Sequence, residues 1–132
     1  MQLLEMTFLR RWAPYLLSVL RIVAAATFLT HGTMKLFAWP AKFAYPLNGM
    51  LYTAAVLEVV GGTLLLVGLF SRPVAFVLSG LMASAYFIGH SGRGFFPVMN
   101  GGEAALLFCF AFLYVAAAGP GPWSIDAATG RE

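Results

Sequence analysis

The sequence predicts an all-α integral membrane protein, a four-helix bundle with both termini in the cytoplasm. Two observations predict it. Of the 132 residues, 61% are hydrophobic and only 10% are charged, whereas a soluble domain carries roughly 25% charged residues. So few polar residues cannot clothe a water-exposed surface, and the surplus apolar surface must meet lipid. Four apolar stretches also approach the length of about 20 residues that crosses the hydrocarbon core. The chain is too short for two ordinary domains, so residues 1–132 read as one membrane domain whose partner is the bilayer.

The first stretch, Ala13–Phe37, follows Arg10-Arg11 and superficially resembles a secretion signal. It is too long for one and carries Arg21, His31 and Lys35, unlike a short apolar signal core, so it reads as a true span. Leu51–Phe70 is the second span and Pro73–Ile88 the third, joined by Ser71-Arg72. Proline is tolerated in a first helical turn, where its missing N–H costs nothing. The two therefore read as a tight antiparallel hairpin. Gly101–Ala118 is the fourth span, and the Gly- and Pro-rich tail after Gly119 reads as irregular. Four crossings put both termini on one side with Arg10, Arg11, Arg72 and Arg131. The other side carries Lys42 and Arg93, with Lys35 at a helix end. The excess of basic residues assigns the termini to the cytoplasm, and Trp12, Trp39, Tyr45 and Tyr52 sit near span ends as interfacial aromatics do.

A net charge of +3, scattered along the chain, provides no basic stripe for nucleic acid. The lone Cys109 excludes an intrachain disulfide and any Cys-x-x-Cys metal or redox pair; it reads as a packing residue.

Ionisable residues inside a bilayer are expensive and mark candidate sites. His31 lies ~9 Å and Glu58 ~10 Å inside the outer ends of their spans, at 1.5 Å per residue. Lys35 is one turn from His31 on the same face. His90 ends the third span and Glu103 starts the fourth, so all four helices contribute to one polar layer in the outer half. Glu58 shares a face with Ala54, Ala55, Gly61 and Gly62, small residues that mark close helix contact in membranes. His90 shares one with Ser79, Ala83 and Phe87, and Glu103 one with Phe110 and Tyr114. These positions predict a pocket with a polar outer layer over an aromatic floor. The bland alternative is a register-fixing ion pair, Lys35 with Glu103 or His31 with Glu58, since buried pairs can specify structure without chemistry. Arg21, turned away from His31, reads as snorkelling or bound to a backbone carbonyl.

Two histidines can ligate haem from opposite faces, or a metal together with Glu58 and Glu103. No Glu-x-x-His di-iron spacing occurs, and His31 lies deeper than His90 by most of two turns, so no metal site is assigned. A quinone fits the residue types better than haem or metal. It needs donors for its carbonyls, a proton partner and an apolar path for its tail. Histidine, with an ordinary pKa of ~6.5, exchanges protons near neutrality.

The run His31-Gly32-Thr33-Met34-Lys35 resembles the His-Gly-x-x-Lys signature of the DoxX family. Glu58-Val59-Val60-Gly61-Gly62, followed by Gly68-Leu69-Phe70-Ser71-Arg72, is similar to its second block, and Met82 through His90 to its third. Asn100-Gly101-Gly102-Glu103 resembles its Asn-Gly-Glu entry to the fourth span, here with a doubled glycine. Gly119-Pro120-Gly121-Pro122-Trp123-Ser124-Ile125-Asp126 is similar to its tail. The resemblance runs from Arg21 to Asp126. It implies a four-span bacterial inner-membrane protein, often classed only as an oxidoreductase. Its relatives are linked to thiosulfate and quinone redox reactions, quinol oxidase assemblies and oxidative stress. Its typical positions here are His31, Lys35, Glu58, His90, Asn100 and Glu103, which become the candidate cofactor-binding residues, with His31 and Glu58 as the proton-handling catalytic pair. The leading expectation is a membrane subunit of a redox system, partnered by other membrane or redox subunits. A non-catalytic accessory subunit of a respiratory or photosynthetic complex is the competitor, and a small-solute carrier the weakest reading, for want of inverted repeats and broken helices. Whether the chain is itself an enzyme is left open at this point.

Overall fold

The computed structural model describes residues 1–132, the Gln2 side chain apart, and is all-helical with no strand among the described residues. Four long helices dominate: α1 (Ala13–Phe37), α2 (Gly49–Val67), α3 (Ser71–Gly89) and α4 (Glu103–Ala118). Three helical stretches, Thr7–Phe37, Gly49–Val67 and Ser71–Arg93, are long and apolar enough to cross a membrane, whereas Glu103–Ala118 is shorter.

The helix ends have local causes. Asn48 caps α2 by accepting the Leu51 N–H at 2.9 Å, one of the orphan donors of a helix start. At its far end Gly68 turns left-handed (φ +74°), so α2 stops before the expected Phe70. Ser71 and Arg72 accordingly belong to α3, with Pro73 in its first turn, and the link is Gly68–Phe70. Gly101 is also left-handed (φ +75°), which delays α4 from Gly101 to Glu103.

α1 packs along α2 and α3 along α4, while α2–α3 and α1–α4 contacts are lighter. The expected α2–α3 hairpin is thus tight at its turn but is not the main packing pair. Small residues permit the close approach: a Cβ on Gly32 would lie 2.8 Å from Val59 Cγ2 and 2.9 Å from Glu58 Cβ. Ala55, Glu58, Gly62 and Leu65 form the buried stripe of α2, whereas Gly61 turns toward Leu78 of α3. The core draws on every long helix, through Ala25 and Phe28, Leu65, Leu78 and Met82, and Phe112 and Val115. Phe28, Phe108 and Phe112 meet with ring centroids 5.1–5.8 Å apart, each such pair contributing about 0.5–1.5 kcal/mol beyond its area. The outward faces are apolar, with Val23, Val60, Phe76 and Leu107 all exposed.

The tail does not fold as the irregular end expected of it. It makes a helical turn, Ile125–Ala128, whose N-terminus is capped by Ser124 Oγ accepting the Ala127 N–H, and Asp126 is almost fully buried. Composition alone called Gly-Pro-Gly-Pro unstructured. What it offers is a row of carbonyls that no helix consumes, and those carbonyls are used.

Candidate functional site

Lys35 near the end of α1 meets Glu58 in α2. Its Nζ donates to Oε1 at 2.7 Å and to Oε2 at 3.0 Å, with the two side chains only 11% and 4% exposed. The contact depends on Gly32, whose missing side chain lets the backbone of α1 settle on the Glu58 stem. The register-fixing pairs weighed from the sequence, Lys35 with Glu103 and His31 with Glu58, do not form; Lys35, which the sequence also offered as a group to hold Glu58 ionised, is the partner. Phe43, the half-buried residue in the otherwise exposed loop between α1 and α2, lays its ring 5.4 Å from Lys35 Nζ and its edge toward Tyr45. Cation–ring attraction of this kind is worth about 0.5–2 kcal/mol.

His31, one turn back from Lys35, is exposed and has no hydrogen-bond partner among the described residues. Its ring stands edge-on to Phe108 of α4, 6.0 Å between centroids. Phe108 packs in turn on Phe28 and Phe112, which are fully buried in the core, so aromatic rings lie next to His31 as packed core. The expected pocket above them is not among the main cavities of the described residues, whose linings lack His31, Lys35 and Glu58. The residues expected to supply an aromatic floor, Phe87, Phe110 and Tyr114, are 60–70% exposed on outward faces.

The other candidates gather elsewhere. Asn100 is buried and serves backbone: its Nδ2 donates to the Gly94 carbonyl at 3.0 Å and to Tyr86 Oη at 3.1 Å, and its Oδ1 accepts the Gly102 N–H at 2.8 Å. Gly102 is required there, because a Cβ would stand 2.7 Å from the Tyr86 ring and 2.8 Å from Asn100 Oδ1. His90 Nδ1 lies 3.3 Å from the Asn100 carbonyl. Glu103 is exposed at the start of α4 beside Phe96, Pro97 and Leu107. The single polar layer thus resolves into Lys35, Glu58 and His31 on one side, His90 with Asn100 on the other, and Glu103 apart. Among the described residues, no three His, Cys, Asp or Glu side chains assemble as a metal-binding group.

A second polar network, at the opposite end, was missed by sequence reasoning. Arg21 is fully buried; it donates to the Pro120 carbonyl and, at 2.6 Å, to the Trp123 carbonyl. Of the two expectations for Arg21, the backbone carbonyl is realised. Ser18 joins by donating to the Pro120 carbonyl at 3.3 Å and accepting the Trp123 N–H at 3.1 Å. Asp126 accepts the N–H groups of Phe70 and Ser71 at 2.9 and 2.8 Å, so the tail caps α3. Burial acts to raise the Asp126 pKa, but the donations from Ser71 and Phe70 and the nearby Arg131 outweigh it and hold the carboxyl below its ordinary 3.8. Arg72 donates to the Ala116 and Ala117 carbonyls, closing the end of α4. The readable signal was a buried-depth arginine with Ser18 three residues before it, in a chain ending in unconsumed carbonyls.

A family model described as DoxX matches residues 16–91, more than half of the chain and the stretch that holds His31, Lys35, Glu58 and His90. This chain belongs to the DoxX family. It is also similar to an "Uncharacterized protein" of Haemophilus influenzae, 46% identical over 129 residues, covering 92% of this chain and 96% of that one. No solved structure matches. With its apolar helices, the chain is a DoxX-family multi-pass membrane protein. Asn100, Glu103 and the tail lie beyond the matched stretch.

Proposed function

We propose that this DoxX-family chain is a single four-span domain of the bacterial inner membrane, a bundle with both termini cytoplasmic. In this reading it is the membrane subunit of a redox system that holds a quinone-like molecule in the outer half of the bundle. The observation that carries the reading is the dry Lys35–Glu58 pair lying one turn from an exposed, unpartnered histidine. Reducing a quinone consumes two electrons and two protons. The electrons come from a partner subunit, and His31 and Glu58 are the groups placed to pass the protons. The residues suit such a ligand. Lys35 carries a positive charge for a carbonyl oxygen, His31 offers a ring nitrogen, and the half-buried Phe108 beside His31 offers an apolar face. His90 and Asn100 act on the outer loop instead, and Glu103 adds a carboxylate near the outer surface.

Glu58→Gln keeps the size and loses the charge. It is expected to abolish quinone-dependent activity in membranes while the protein inserts at wild-type level. Normal turnover in that variant would remove the proton role. One feature favours a second reading, a non-catalytic accessory subunit: both Glu58 oxygens are already taken by Lys35, which is how a purely architectural pair is built. Retained activity after substitution of Glu58 and His31, with large partners co-purifying, is the outcome that reading expects.

A further inference from the structure

Between α3 and α4 the chain exposes four large apolar side chains in five residues: Phe95 is 86% exposed, Phe96 62%, Val98 74% and Met99 77%. Water is a poor neighbour for such a run, and no charged residue lies between Arg93 and Glu103. The adjoining α4 has 16 residues, a rise of ~24 Å at 1.5 Å per residue. The hydrocarbon core is about 30 Å thick, so α4 falls short by about 6 Å, roughly one helical turn. The missing depth lies at an end that must be covered by something apolar.

The segment is also built for a dry place. Irregular backbone survives at membrane depth only where its polar groups are satisfied within the protein. Here the Asn100 side chain, 1% exposed, takes up the Gly94 carbonyl and the Gly102 N–H. The Phe96 carbonyl accepts the N–H groups of Met99 and Asn100 at 2.9 and 3.0 Å. Internal satisfaction together with outward apolar side chains is the opposite of a solvated loop. It also gives Asn100 a different task from the cofactor contact expected of it.

We propose that residues 95–99 form a wedge inserted among the acyl chains of the outer leaflet, making up the length that α4 lacks. The wedge rests on the four-span reading above. It sets Glu103 below the membrane surface, at the positive end of the α4 dipole, where a carboxylate is stabilised.

The test uses the full chain with Cys109→Ser, reconstituted in phospholipid vesicles, with single nitroxide labels at Val98→Cys and Met99→Cys. Ala41→Cys in the other outer loop is the aqueous reference, and Val60→Cys on the exposed face of α2 is the lipid reference. Collision with oxygen, relative to a water-soluble nickel chelate, is expected to match Val60 at both wedge positions and to exceed Ala41 at least fivefold. Values equal to Ala41 at 98 and 99, with Val60 still oxygen-rich, would overturn the wedge and leave the spans standing. A Val60 label that also behaves as aqueous overturns the span reading and the wedge with it. Lipid-soluble carbene labelling of the unsubstituted protein gives the same answer without variants: peptide 94–102 labels if the wedge is inserted and is spared, relative to 103–118, if it is not.

Discussion

Lys35 and Glu58 are costly apart and tolerable together. Taking one charge from water costs several kcal/mol, which the partner offsets only at close range, and here both carboxylate oxygens lie within 3.0 Å of the ammonium nitrogen. Removing one partner strands the other. Lys35→Met is expected to lower stability by about 3 kcal/mol, read as the midpoint of unfolding in detergent. Lys35→Met with Glu58→Met is expected to recover most of the loss; additive losses in the double variant would mean the two charges are not coupled. At this scale the sequence was informative about which residues matter, because an ionisable group in an apolar run is conspicuous. It left several pairings open. Helical spacing places Lys35 and Glu58 on faces, but their meeting depends on how far Gly32 lets α1 sink onto α2, a three-dimensional fact. His31 kept its place above phenylalanines, although Phe108 and Phe112 rather than Phe110 and Tyr114 are the ones beneath it.

At the scale of elements, the start of α3 is held from outside its own sequence. Phe70 carries φ +53°, a strained value for a non-glycine residue, and its N–H and that of Ser71 point into Asp126. Hydrogen bonds to a charged acceptor are worth about 1.5–3 kcal/mol each. Asp126→Asn is therefore expected to lower the unfolding midpoint by an amount equivalent to about 2 kcal/mol at neutral pH. The carboxyl is held below its ordinary value in the fold. Its contribution is thus fully present above about pH 4, the unfolded value, and is lost as pH falls through the lower folded value. Wild type and Asp126→Asn should converge in stability below that point; a constant gap from pH 3 to 7 would contradict the cap. The four long helices were legible from apolar runs, and their ends less so. Gly68 and Gly101 stop or delay a helix by adopting left-handed backbone, which hydropathy does not register. The tail was misjudged for a related reason: Gly and Pro signal turns without saying what the freed carbonyls will bind.

For the whole molecule, two polar assemblies stand at opposite ends of an apolar body. One end gathers the start of α1, the α2–α3 turn and the C-terminal segment through Arg21, Arg72 and Asp126; its charged groups bond mostly to backbone and fasten the helices, with Arg21 Nε and Ser71 Oγ buried and unpaired among the described residues. The other end holds the Lys35–Glu58 pair with an unsatisfied histidine beside it. The ionisable groups of the first end bind backbone, Asp126 through two N–H groups and Arg72 through two carbonyls. His31 is exposed with no hydrogen-bond partner among the described residues, and its end is the proposed site. The direct test is to purify the protein in mild detergent and extract the sample for lipid-soluble quinone. The account expects quinone in near one-to-one ratio with the wild-type chain and at least tenfold less with Glu58→Gln or His31→Ala, at equal recovery of folded protein. Wild-type protein free of quinone, or a ratio that neither substitution changes, would contradict it.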